Sequence, residues 1–294
     1  MYHLFRFLSL LPLRSLHAVG AMLGWLVWFL SPAYRATFRA NVIQAGLPFA
    51  LARPAISEAG RFVGELPKLW MRPSDQSCLG NVRCEGRAHA DAAFAGGKGV
   101  IFMGAHCGSF ELAPQALAEM YGPLTALYRP ARQPWLARLV RENRGRQGLN
   151  LAPASLGGIR QMHKALKRNE AVGLLVDQVP PEGLGLWAPF FGKPAYTMTL
   201  AARLALQSGA VILPVTCERL AGGRGYALQI LPPLKLLETA AAPTLDDIVS
   251  QINLTVEKIV LMQPGQYLWG YNRYKQPRSE SAKAPATVSD SAPT

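Results

Sequence analysis

Apolar positions along the chain fall into short bounded runs, separated by stretches in which they recur every three or four residues. Residues 100–103, 124–128, 172–176, 211–216 and 226–231 are such runs, with the length of buried strands rather than of helices. Residues 110–120, 135–144 and 197–207 read as helices between them. A further helix presents Ile159, Met162 and Leu166 on one face and Arg160, Lys164, Lys167 and Arg168 on the others. Alternating strand and helix predicts an α/β fold.

Before the first long run, residues 35–45 and 55–69 are helical in pattern, 82–85 a short strand and 88–95 a short helix. Residues 179–195, rich in Gly and Pro and carrying Trp187, Phe190 and Phe191, read as a long irregular loop, a kind of segment that usually serves function. Thr244 caps a final helix, with Asp247 at its third position and a stripe of Leu245, Ile248, Ile252, Val256 and Ile259. Residues 276–294 have no periodicity and are expected to be disordered. Trp269 is expected in the core.

Residues 7–30 are almost wholly apolar, interrupted by Arg14 and His17. The uncharged part, 18–30, is shorter than the roughly 20 residues of a spanning helix. Trp25, Trp28 and Phe29 cluster at its far end, as at a lipid interface. A cleaved signal peptide and a buried core helix are the alternatives, and a retained membrane anchor over residues 1–31 is the favoured reading. Arg6 and Arg14 before it nearly balance Arg35 and Arg39 after it, so whether it spans or lies in the interface stays open.

Composition narrows the partners. The 294 residues suit one large α/β domain or two small ones. Mean hydropathy is +0.11, high for a soluble enzyme. A net charge of +13 points to acidic partners: nucleic acid, an anionic membrane surface or an acidic carrier protein. No finger, RNP-like or basic-helix motif supports nucleic acid. Cys78, Cys84, Cys107 and Cys217 have no metal-like spacing and are expected as reduced thiols, although Cys78 and Cys84 are close enough in sequence to pair. No ligand cluster calls for a metal, and no cofactor is implied.

The candidate chemistry sits where the first long strand ends. His106 follows the run 100–103, at the carboxyl end where open α/β sheets gather ligands. Glu111 lies five positions on, about 140° round a straight helix, so the two side chains meet only if the turn between Gly104 and Gly108 bends. A histidine held by a carboxylate removes a proton from a hydroxyl, because the carboxylate fixes the tautomer and stabilises the imidazolium. By spacing alone, such a pair is more often structural than catalytic. Ser109 as a nucleophile is an alternative, although no strained G-x-S-x-G elbow surrounds it.

Several blocks stand in a fixed order: the His106 block, Tyr128-Arg129-Pro130 with Pro134, Asn143-Arg144-Gly145-Arg146, Leu174-Leu175-Val176-Asp177-Gln178, Pro189-Phe190-Phe191-Gly192, Gly209 to Pro214, and Pro264 to Lys275. From about Arg35 to Lys275 this resembles the late acyltransferases of lipid A biosynthesis, the lauroyl and myristoyl transferases of the lysophospholipid acyltransferase superfamily. The resemblance implies a single domain with a mixed central sheet flanked by helices, over residues 32–275, on the cytoplasmic face of the bacterial inner membrane. It implies an acyl chain passed from a thioester on acyl carrier protein, or on coenzyme A, to a hydroxyl of a lipid acceptor such as a lipid A precursor. His106 matches the family's base and Glu111 the carboxylate that orients it. Arg144 and Arg146 match an arginine pair that binds or polarises substrates, the alternative being ordinary surface charge. Asp177 matches the acidic residue of the third block, with a helix cap as its alternative, and Arg129 and Gln178 are read with them as substrate-binding. Cys107-Gly108 and Gly270-Tyr271-Asn272-Arg273 depart from the usual pattern, which leaves open an aminolipid, glycolipid or lysophospholipid acceptor. The basic helix with Lys164, Lys167 and Arg168 is the expected docking face for an acidic carrier. The competing class is a membrane lipid-binding protein without catalysis.

Overall fold

The computed structural model describes residues 2–73, 75–130, 133–143, 145, 148–234 and 243–278. It opens with helices α1 (Tyr2–Leu10) and α2 (Leu13–Leu30), parted before Pro12, a residue with no N–H to continue a helix. Ser31 ends α2 and caps α3 (Pro32–Gln44), its hydroxyl accepting from the Tyr34 amide at 3.2 Å. Then come α4 (Phe49–Ala52) and α5 (Ala55–Trp70).

The α/β part follows as β1 (Val82–Glu85), α6 (Arg87–Ala95), β2 (Val100–Gly104), α7 (Ala113–Tyr121), β3 (Leu124–Tyr128), α8 (Pro134–Asn143), β4 (Leu149–Pro153), α9 (Leu156–Lys167) and β5 (Ala171–Leu175). It closes with β6 (Gly185–Phe190), β7 (Lys193–Met198), α10 (Leu200–Ser208), β8 (Val211–Arg219), β9 (Tyr226–Ile230) and α11 (Leu245–Met262). Seven strands form one mixed sheet in the order β1-β9-β8-β2-β5-β3-β4, parallel throughout except for the antiparallel β8–β9 pair. This is the single α/β domain with a mixed, helix-flanked sheet that the sequence led us to expect.

Every residue of β2 is buried, and its side chains alternate between two cores. Ile101 and Met103 join Met162 and Leu166 of α9 and the Ile248, Ile252, Val256 stripe of α11. Val100 and Phe102 join Ala116 and Leu117 of α7 and Trp70 of α5. Trp269 lies in the first core, as expected. The capping box of α11 is present, with Thr244 Oγ1 accepting from the Asp247 amide and Asp247 from the Thr244 amide.

Two expectations need correction. Residues 179–195 are not one irregular loop. β6 and β7 pair as an antiparallel hairpin around Phe191 and Gly192, whose φ values of +46° and +73° are those of a two-residue primed turn. Gln44 Nε2 donates to the Phe191 carbonyl at 2.7 Å, and the Phe191 amide donates to Glu257 at 2.6 Å, which holds a phenylalanine in a region that favours glycine. The helix after it consequently begins at Leu200 rather than Thr197. β4 is a further strand, edging the sheet beside β3. All four cysteines are free thiols. Residues 279–294, most of the expected tail, lie outside the described residues.

α2 is long and apolar enough to cross a membrane, by length and composition. It is nevertheless docked on α5, and glycines make the seam. A Cβ on Gly60 would lie 1.9 Å from the Gly20 carbonyl, and one on Gly20 would lie 2.4 Å from the Gly60 carbonyl. The backbones therefore touch, which no larger residue allows. Away from the seam, Val19, Met22, Leu23, Leu26, Val27, Phe29 and Leu30 are exposed.

At one end of that seam lies a buried ionic cluster. Glu65 of α5 is 0 % exposed. Its carboxylate accepts from Arg219 Nε at 2.8 Å and Nη2 at 2.9 Å, Ser109 Oγ at 2.7 Å, His17 at 3.0 Å and Tyr226 OH at 3.1 Å. Burial pushes the Glu65 carboxyl up, but the charge and hydrogen bonds of Arg219, with the hydrogen bonds of His17 and Ser109, outweigh it and hold the pKa at about 2. Because the folded value lies below the unfolded one of 4.5, this group stabilises the fold fully above pH 4.5 and loses that contribution as pH falls toward 2. Denaturant midpoints measured across that window should fall steeply, and a flat profile between pH 4.5 and 2 would show that Glu65 is not ionised in the fold.

Candidate active site

β2 and β5 are adjacent and parallel, with Gly104 opposite Leu175. Two residues beyond that pair, the chain places His106 opposite Asp177 at the carboxyl edge of the sheet. His106 Nδ1 lies 2.7 Å from Asp177 Oδ1, and the His106 amide donates to Asp177 Oδ2 at 3.1 Å. An ionised carboxylate only accepts, so the proton sits on Nδ1 and the Nε2 lone pair is free to act as a base. Burial works to raise the Asp177 pKa, but the charge and hydrogen bonds of His106, then the Arg273 charge, hold it below the ordinary carboxylate value.

Nε2 faces outward. The His106 side chain is 18 % exposed, and the amide of Gln178, an exposed residue, stands 3.1 Å from Nε2. Nε2 thus accepts from a donor whose place a hydroxyl can take. The Phe110 ring meets the imidazole edge-on with centroids 4.8 Å apart, and Phe62 stacks on Phe110 at 4.3 Å. Leu268 donates its amide to the His106 carbonyl at 3.0 Å. Below the turn lies an apolar cavity of about 60 Å³ lined by Phe102, Cys107, Phe110, Leu127, Leu174 and Val215.

The carboxylate on the ring is therefore Asp177 and not Glu111, which corrects the expected pairing. Gly108, with φ +63°, turns the chain, and Ser109 starts a helical turn that carries Glu111 away. Glu111 is buried, with Oε2 accepting from the Trp70 indole at 3.2 Å. Ser109 is fully buried and gives its hydroxyl proton to Glu65, so it offers no nucleophile. Arg129 is exposed just past the carboxyl end of β3, at the same edge of the sheet as His106. Arg144 and Arg146 lie outside the described residues.

The basic helix ends at the opposite edge of the sheet from His106. α9 runs back from the carboxyl end of β4 to the amino end of β5, so Lys164, Lys167 and Arg168 sit about 20 Å of strand away from Asp177. Arg168 moreover pairs with Glu170 through two bonds of 2.7 Å. Two residues missed in the sequence belong to the site's support. Tyr267 is buried, and burial followed by the Asp177 charge pushes its phenol well above its ordinary pKa. Arg273 is a buried cation that donates to the Tyr196 carbonyl at 2.8 Å and to Thr197 Oγ1 at 2.6 Å. Both lie in the 264–275 block, where their type was visible but their reach to Asp177 was not.

The chain is 31% identical over 182 residues to a lipid A biosynthesis lauroyltransferase of Escherichia coli (strain K12), covering 60% of this chain and 56% of that protein. It is 32% identical over 187 residues to a lipid A biosynthesis palmitoleoyltransferase of the same organism, covering 63% and 59%. It is also similar to a phosphatidylinositol mannoside acyltransferase of Mycobacterium tuberculosis (strain ATCC 25618 / H37Rv), 30% identical over 152 residues, covering 51% and 47%. The chain thus spans under three-fifths of the length of the curated relatives it matches. The family model "Bacterial lipid A biosynthesis acyltransferase" matches residues 2–276, from the first helix to beyond the last block, and the chain belongs to that family.

Proposed function

We propose that this protein is a membrane-associated acyltransferase that moves a fatty acyl chain from a thioester to a hydroxyl of a lipid acceptor. The observation that carries this reading is the His106–Asp177 pair, with its basic nitrogen turned outward, in a chain of this family. The acceptor hydroxyl replaces Gln178 at Nε2, and His106 takes its proton as the oxygen attacks the thioester carbonyl. Asp177 holds the tautomer and stabilises the imidazolium that forms. The protonated ring then gives its proton to the departing thiolate, so protons balance over the cycle. Glu111, which accepts from the Trp70 indole, is given no step in the proton transfer.

The similarity to enzymes named for lipid A supports a lipid A precursor as acceptor, and the mycobacterial relative gives a specific reason to keep a glycosylated phospholipid as the second reading. The thioester is carried by acyl carrier protein, with coenzyme A as the rival donor. Docking of an acidic carrier is better served by Arg129 and Arg138, both exposed and past the carboxyl end of β3, than by the distant α9.

Membrane association rests on α1 and α2. Their exposed Leu4, Phe7, Leu10, Met22, Leu26 and Phe29 form an apolar surface that water does not favour. Because α2 is fixed along α5, a helix that carries Glu58, Arg61, Glu65 and Lys68, it lies in the interface rather than spanning. The inner membrane, on its cytoplasmic face, is the compartment where a thioester donor and a lipid precursor meet.

Three tests follow. With a lipid A precursor and either donor, His106→Ala and Asp177→Asn should each lower kcat by about 10²- to 10⁴-fold, and Glu111→Ala by less. An undiminished rate for His106→Ala ends the assignment of the base. Lipid mass spectrometry of a deletion strain should show one lipid class lacking a single acyl chain, and an unchanged lipid profile favours binding without catalysis. Lysine at Met22, Leu26 and Phe29 together should release the folded protein from vesicles, whereas full retention would place the membrane contact elsewhere.

A further inference from the structure

We propose that Glu65 and Arg219 are positioning residues for the transfer reaction, holding the turn on which His106 stands through Ser109 and Gly108. The proposal rests on the reading of His106 as the base. No step of the chemistry above uses this pair, yet its contacts converge on the two residues that carry the chain from the base into α7.

Arg219 Nη2 donates both to Glu65 Oε1, at 2.9 Å, and to the Gly108 carbonyl, at 3.1 Å. Glu65 Oε1 also accepts the Ser109 hydroxyl at 2.7 Å. The same stretch is held from its other side, the Gly108 amide donating to the Gln266 carbonyl at 3.1 Å and the Ser109 amide to the Cys217 carbonyl at 2.7 Å. Gly108 is pressed against β8, where a Cβ would stand 2.1 Å from the Cys217 carbonyl oxygen. Two residues before Gly108 is the base, and one residue after Ser109 is the ring that packs on it. A shift of this turn therefore moves His106 and Phe110 together.

Stability alone does not account for the cluster. A buried ion pair costs so much desolvation that apolar side chains of similar volume are often as stable or more so. The guanidinium fork supplies direction instead: its planar donors reach a carboxylate and a carbonyl at fixed angles, which a lysine cannot do. Glu58 takes Nη1 at 2.7 Å and Tyr226 the remaining side of Glu65, so the fork has no freedom to rotate. His17 brings α2 into the same carboxylate, which ties the N-terminal helix to the turn.

The test is Arg219→Lys, which keeps the charge and loses the fork, beside Ser109→Ala, which removes one bond. Each should lower kcat about tenfold or more, in protein that remains folded at the assay temperature, while KM for donor and acceptor stays within about twofold. Arg219→Lys is expected to lower the thermal midpoint as well, since it breaks a buried pair. Wild-type kcat in both folded variants overturns the proposal, and so does a failure of both to fold, since the cluster would then serve stability alone. His106→Ala run in parallel separates the two readings. If it is inactive while Arg219→Lys and Ser109→Ala keep wild-type kcat, only the positioning role falls. If it is fully active, the base assignment falls first and this proposal goes with it.

Discussion

The parallel pairing of β2 with β5 is the constraint from which the rest of the site follows. Neither strand carries a chemically useful side chain within it. Their register, Gly104 opposite Leu175, decides what stands opposite what once both chains leave the sheet. A slip of one residue would turn every side chain of β2 to the other core, so the burial of Ile101 and Met103 on one face and Val100 and Phe102 on the other locks the register strongly. The distance of 2.7 Å between His106 and Asp177 is thus secured by hydrophobic packing several residues away.

A second layer of control comes from groups that never face solvent. The base and its carboxylate stand at an open edge, but they are hemmed in by Tyr267 and Arg273 from the chain's last block and by the Glu65 cluster from α5 and β8. Segments from both ends of the chain therefore meet behind one turn. Such long-range closure suits a reaction that needs a fixed base and a replaceable partner on its exposed nitrogen.

Much of this was legible in the sequence, and the exceptions have physical causes. Leu124–Tyr128 has the bounds its sequence predicts because a short, mostly apolar run between turn residues leaves little choice, and Val82–Glu85 because its apolar and charged residues alternate with the period of a strand. The β6–β7 hairpin was hidden by Pro189 and Pro194, which face each other across the ladder in a sheet of only two strands, where a missing donor costs little. The family resemblance singled out His106 and Asp177 separately, but a sequence does not state which strands are neighbours, so Glu111, close in number, took the place that belongs to Asp177. Glu65 and Arg219 gave no signal at all: a glutamate in an amphipathic helix and an arginine at a strand end read as surface until both are seen buried.

The glycine seam between α2 and α5 has a consequence for how the first helix tolerates change. On one side the two backbones are in contact at Gly20 and Gly60, and any added carbon must push two helices apart. On the other side Met22, Leu26 and Phe29 are exposed, and any apolar residue meets the same requirement there. A saturation mutagenesis map of this helix would therefore be a stripe, intolerant along one line and indifferent to apolar exchange along the other. The helix is specified by what its inner line lacks more than by what its outer face contains.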